Sequence, residues 1–258
     1  MASFPPMSEL PACADTSGWV WQRVDKPCHP SDGFWIGNDG RGNHWLTKLR
    51  GSFYAYREIL FGRLAQAMNW SCQSSMFIRL DRGSAEILGR QAGEIHAAHW
   101  HMNEHPGRSC GTACALEPLI GREMRTIEDL QPHKIRHLRD WPKSVFAAYV
   151  FGGNEPSGMF ITTQHEFVII DSDQMFSSGP ASFDSVSWLT QPDGLPSKSG
   201  KALCIEVCSE VSNLSPTLVS QALAVPSGVS IKFSWPVEPN LRKSIEFASA
   251  YARLHTGA

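Results

Sequence analysis

The most constraining stretch of the chain runs from residue 34 to residue 80, where the hydrophobic period changes from that of strands to that of a helix and back again. Phe34-Trp35-Ile36-Gly37 leads into the polar turn Asn38-Asp39-Gly40-Arg41-Gly42-Asn43, and His44-Trp45-Leu46-Thr47-Lys48-Leu49 follows. Two aromatic-rich runs joined through Asp-Gly predict a β-hairpin. Residues 54–68 then place Ala55, Ile59, Leu60, Leu64, Ala67 and Met68 at helical spacings, with Gly62 allowing a close approach. Ser75-Met76-Phe77-Ile78-Arg79-Leu80 returns as a strand. The expected order is strand, glycine turn, strand, helix, strand.

A chain of 258 residues with 42% hydrophobic and 19% charged content can bury a full core, as one bilobal domain or two small ones. Its formal charge of -2 supplies no basic field that would draw it onto nucleic acid or anionic lipid. No apolar run reaches the length of a signal peptide or a membrane span, so a cytoplasmic location is expected. Seven cysteines, an odd count, suit free thiols or metal ligands better than a disulfide framework. Residues 1–33, punctuated by Pro5, Pro6, Pro11 and Pro30, are expected to form an irregular arm.

Beyond residue 84 the pattern is less regular. Residues 85–105 are mixed and rich in histidine. A helical run is expected over 126–138, and a second helix, with Asp140 as N-cap before Trp141-Pro142, turns Val145, Phe146, Tyr149 and Val150 toward the core. Residues 152–158 are expected to form a loop before two short strands, 159–162 and 167–170, the second ending directly on Asp171. Residues 177–201 are dominated by Ser, Pro, Gly and Asp and predict a long loop. Helices are expected over 203–211, 216–223 and 240–254, with Cys204 and Cys208 on one face as core residues.

Certain residues in this order suit phosphoryl transfer, where the protein holds a triphosphate, neutralises its charge with metal and aims an acceptor hydroxyl. A lysine on a strand after a glycine turn can reach phosphates, and a glutamate on the next helix can hold it as an ion pair; Lys48 and Glu58 fit these roles. A carboxylate at the end of a hairpin strand can bind magnesium, a hard cation that takes oxygen ligands. Asp171 fits, with Asp173 as a second candidate.

The chain resembles the HipA-like kinases, particularly their short stand-alone members, over roughly residues 34–254. The resemblance is carried by Trp45-Leu46-Thr47-Lys48, the helix Tyr56-Arg57-Glu58-Ile59-Leu60-Phe61-Gly62-Arg63-Leu64-Ala65, and the segment from Trp141 to Gly153-Asn154. The Ile-Asp-Ser-Asp core around Asp171 and Val225-Pro226 near the closing helices also correspond. It implies an α+β, bilobal protein-kinase-like fold with a small β-rich N-lobe over 34–84 and a larger helical C-lobe over 85–258. It also implies ATP and magnesium as ligands, and a Ser or Thr hydroxyl on a protein as acceptor. The family's catalytic loop carries an aspartate and then an asparagine after the Gly-Asn pair. Here Asn154-Glu155-Pro156-Ser157-Gly158-Met159 has Pro156 and Met159 about there, and no aspartate lies between Asp140 and Asp171. Asn154 and Glu155 are the candidate replacements, and because small misplacements cost large factors in rate, nucleotide binding is expected to outlast efficient transfer.

A second constellation is His101, His105, Cys110 and Cys114, with His96 and His99 as spare candidates. Two His and two Cys can close a tetrahedral zinc site, here a structural staple for a glycine-rich loop. Free thiols and surface histidines are the plain alternative. Three functions follow as expectations: an ATP- and magnesium-binding kinase, a pseudokinase or zinc-stapled module that binds a protein partner, and a zinc-dependent hydrolase.

Overall fold

A computed structural model of the chain describes residues 5–24, 34–101, 146–147, 149–153, 159–161, 167–169, 172–181 and 198–256. Six strands, β1 (Cys13–Asp15), β2 (Val20–Val24), β3 (Phe34–Asn38), β4 (His44–Lys48), β5 (Ser75–Arg79) and β6 (Ile95–His101), form one twisted sheet in the order β1-β5-β6-β4-β3-β2. All neighbours are antiparallel except β1 and β5. The expected hairpin is β3–β4, paired from Phe34↔Lys48 to Asn38↔His44. Its turn is ordered by Asp39, which accepts from the backbone N–H of Arg41 at 2.9 Å and from Asn43 Nδ2 at 2.8 Å. Gly40 and Gly42 take the left-handed φ values, 73° and 86°, that this reversal needs.

Helix α1 (Ser52–Ala67) crosses one face of the sheet and is buried nearly all round, from Phe53 through Ala65. Its far side is clamped by Arg63, whose Nη1 donates to the carbonyls of Ala222 and Ala224 at 3.0 and 2.8 Å. Those carbonyls lie at the C-terminal end of the helix over 216–223. Gly62 does what its position promised: a Cβ there would lie 2.8 Å from Met7 Sδ. Helix α2 (Arg82–Leu88) covers the opposite face, capped by Asp81, which accepts from Ser84 N at 2.9 Å, and ended by the left-handed Gly89. Trp45, Met76, Ile78, Leu80, Ala85, Leu88 and Ala98 form the core on that side, with Trp19, Trp21, Trp35 and Trp100 packed against it.

Three helices lie in the last part of the described chain: α3 (Lys198–Ser212), α4 (Pro216–Leu223) and α5 (Val237–Thr256). They match the expected helices at 203–211, 216–223 and 240–254, with Ser215 capping α4. A hairpin, β7 (Met159–Ile161) and β8 (Phe167–Ile169), matches the expected strand pair. The core under α1 continues without a break through Phe146, Val150, Phe151 and Phe176 to Val207 and Leu241. The architecture is mixed α and β, with strands gathered at the front of the sequence and helices at the back. Among the described residues no helix is long and apolar enough to cross a membrane.

Two segments differ from expectation. The supposedly irregular arm supplies β1 and β2, whose partners come from residues 77–79 and 34–38. Nothing local marks a three-residue strand that exists only because a distant edge is open to it. The histidine-rich stretch supplies α2's last turns and β6, the strand between β5 and β4, so the sheet extends past residue 84. The expected helix at 126–138 lies outside the described residues.

Gly37 faces Trp21 across β2 and Trp45 across β4, and a Cβ there would lie 2.6 Å from Trp19 and 2.8 Å from Trp21. Gly37→Ala should lower stability by about 1–3 kcal/mol through overpacking, read in denaturant melts. Burial raises the thiols of Cys72, Cys204 and Cys208 to about 12, so in native protein at pH 8 these cysteines should resist alkylation. Peptide mapping should show them labelled only after unfolding.

Candidate functional site

Alternation along β4 turns His44, Leu46 and Lys48 toward α1, and Trp45 and Leu49 to the opposite core. Lys48 ends its strand where α1 passes, and its Nζ meets Glu58 Oε1 at 2.9 Å. The two side chains are 10% and 4% exposed, so the pair is largely withdrawn from water. The other oxygen of Glu58 faces β6, where His99 Nε2 lies 3.0 Å from Oε2, close but off the line of a good hydrogen bond. His99 Nδ1 is 2.7 Å from Ser75 Oγ on β5. Burial alone would raise the Glu58 carboxyl; the His99 and Lys48 charges outweigh it and hold the group well below the usual carboxylate range.

The chain after β8 docks beside this pair. Ile169 accepts from Gln73 N at 2.9 Å and donates to Ser71 O at 2.8 Å, which fixes the hairpin to the segment after α1. Asp173, 2% exposed, forms an ion pair with Arg50, two residues beyond Lys48. Arg57, fully buried, donates through Nη1 to Met175 O at 3.4 Å and lies 4.5–4.9 Å from the rings of Trp235, Phe53 and Tyr54. Burial pushes the Arg57 guanidinium down from its ordinary value, and the Asp173 charge opposes this.

The structure thus brings Lys48 and Glu58 into contact as the sequence spacing suggested. Asp173 is close to the same strand end, but its described partner is a guanidinium. Asn154, Glu155 and Asp171 lie outside the described residues, as do His105, Cys110 and Cys114. His101 is the last residue of β6, opposite His44. The spare histidines cannot share an ion, because 96 and 99 fall on opposite faces of β6 and each is engaged: His96 Nδ1 accepts from Gly51 N at 3.1 Å. Among the described residues no group of three or more His, Cys, Asp or Glu could hold a metal.

Arg50, Arg57 and Ser75 were not singled out as site residues by pattern, and His99 was singled out only as a spare zinc candidate. Their roles depend on which strands become neighbours. A cavity of about 570 Å³ lies elsewhere, between α4 and α5. On its charged rim Arg242 Nη2 pairs with Glu238 Oε1 at 2.6 Å.

No family model matches the chain, and no curated protein does. Among solved structures it is similar to the Helicobacter pylori proinflammatory kinase CtkA, at 9% identity and a TM-score of 0.49, covering 95% of this chain and 99% of that one.

Glu58→Gln removes the shared counter-charge of a buried pair, and should cost about 3–5 kcal/mol of stability at pH 7. A depressed carboxyl stabilises the fold fully above its unfolded value of about 4.3 and loses that contribution as pH falls toward its folded value. Denaturant midpoints between pH 7 and pH 3 should therefore fall in the wild type and fall less steeply in Glu58→Gln.

Proposed function

We propose that the chain is a HipA-like, kinase-fold protein that binds ATP with magnesium, and that its altered loop leaves phosphoryl transfer to a Ser or Thr hydroxyl slow or absent. The observation that carries this is the buried Lys48–Glu58 pair at 2.9 Å, joining the end of a strand after a glycine turn to the next helix. An ammonium held by a buried carboxylate is fixed in place, and it supplies charge to phosphate oxygens without having to be ordered at the moment of binding. Phe34, Ile36 and Leu46 share the face of the hairpin that carries Lys48, an apolar surface suited to a nucleobase.

Magnesium, when bound with the nucleotide, neutralises phosphate charge. Asp171 and Asp173 are the proposed carboxylates for it. Asp173 fits in chemistry, since its oxygens already meet a cation in Arg50. In the loop, Asn154 and Glu155 are the residues proposed for orienting an acceptor. With Pro156 and Met159 after them, the acceptor hydroxyl lacks the short carboxylate this chemistry favours. Zinc at His101, His105, Cys110 and Cys114 is proposed as a structural staple, and a protein is the proposed substrate or partner. The proposed location is the cytoplasm.

ATP binding measured by calorimetry should strengthen on adding magnesium. Lys48→Ala should weaken it about 10- to 100-fold, the equivalent of one charge-assisted hydrogen bond of about 1.5–3 kcal/mol. Affinity unchanged by that substitution would defeat the site. Labelled phosphate should pass to the chain itself or to a cell extract slowly or not at all, and complete absence selects the non-catalytic, partner-binding form.

A further inference from the structure

Glu58 makes two contacts, one with each oxygen, to two different strands. Lys48 on β4 takes Oε1 at 2.9 Å and His99 on β6 faces Oε2 at 3.0 Å. The strands are neighbours in the sheet, with Lys48 opposite Ala97 and Leu46 opposite His99, so the ammonium and the imidazole stand side by side on one face. Ser75, opposite His99 in the β5–β6 pair, completes a row across three strands. Glu58, His99 and Ser75 are each at most 4% exposed, and water has little access to any of them.

We infer that His99 is a positioning residue for the Lys48–Glu58 pair: held by Ser75 through Nδ1, it fixes the second oxygen of Glu58 and so sets where the first presents itself to Lys48. The reason is rotational. The last torsion of a glutamate is broad and roughly two-fold, so a single partner leaves the carboxylate plane free to turn. A second partner at the other oxygen removes that freedom. The imidazole has its own rotation to lose, and Ser75 removes it. With Nδ1 accepting the Ser75 O–H, the neutral ring carries its proton on Nε2, the nitrogen that faces the carboxylate. Ser75 Oγ also lies 3.4 Å from Gln73 O, so the hydroxyl can instead turn there when both ring nitrogens carry a proton and Nδ1 donates to Oγ. In either state Nε2 presents N–H toward Glu58. Without His99, buried Oε2 loses this contact, and the carboxylate is driven to rotate or to draw Lys48 inward.

The meaning of this device for ligand binding rests on the nucleotide function proposed above; the positioning itself does not, and can be measured without a ligand. Reductive methylation of the full-length chain, quantified at Lys48 by mass spectrometry, reads how firmly the ammonium is held. His99→Ala should raise the labelling rate at Lys48 about tenfold, the factor that corresponds to losing about 1.4 kcal/mol of restraint, with other lysines unchanged. His99→Gln, whose amide can donate to the same oxygen, should stay within about twofold of wild type. Equal labelling of wild type and His99→Ala overturns the inference, and so does a His99→Gln protein that labels as fast as the alanine variant. Should His99→Ala fail to fold, Ser75→Ala decides: it keeps the ring and frees its rotation, and Lys48 labelling should rise about threefold, a small part of a hydrogen bond's worth. No rise there overturns the inference. ATP titration of the same variants is a separate arm. A wild type that does not bind ATP ends the nucleotide proposal, while the labelling comparison still decides the role of His99.

Discussion

A helix that is covered on every side has nowhere to put its charges except among other residues, and α1 carries two in succession, Arg57 and Glu58. They point to different neighbours. Glu58 turns to the sheet, where Lys48 and His99 answer it, and Arg57 turns to Phe53, Tyr54, Trp235 and the Met175 carbonyl. Each buried charge is costly to leave unanswered, by several kcal/mol, so the surrounding elements are restricted to arrangements that answer both. The sheet register and the docking of the chain after β8 are the two arrangements observed.

The first of these fixes the front of the molecule. β4 and β6 must be neighbours with Lys48 and His99 on the same face, and a slip of one residue in either strand would turn one of them to the tryptophan-lined core. The second fixes how the back of the molecule meets the front. Arg50 to Asp173 and Arg57 to Met175 tie residues 173–175 to the end of β4 and the start of α1, while Arg63 ties α1 to the end of α4. Polar contacts of this kind add specificity of placement to a core that is otherwise apolar from Ile59 to Leu241.

Much of the front was legible locally. The β3–β4 hairpin follows from two aromatic runs around Asp-Gly, and α1 from apolar residues at helical spacing, because both depend on contacts within a few residues. The Lys48–Glu58 contact was also legible, since the two residues lie only ten apart, on a hairpin strand and the next helix, which are adjacent in space. The strands β1 and β2 were not, as their proline-punctuated segment becomes extended only by adding to edges formed elsewhere. Nor was β6: His96, Ala97, Ala98 and His99 have no strand-like alternation of apolar and polar residues, because β6 is central and covered on both faces.

By itself the sequence determined the local elements and one ion pair: period, turn chemistry and caps act over short distances, and they name Lys48, Glu58, β3, β4, α1 and the closing helices. The tertiary structure alone decided that His99 and Ser75 join that pair, that Arg50 meets Asp173, and that Arg57 is enclosed by aromatic rings. Those contacts span from 24 to 178 residues of chain where they cross between elements. No local pattern can specify a partner whose proximity is created by strand order, because the energy that selects it exists only once the sheet and the core have assembled.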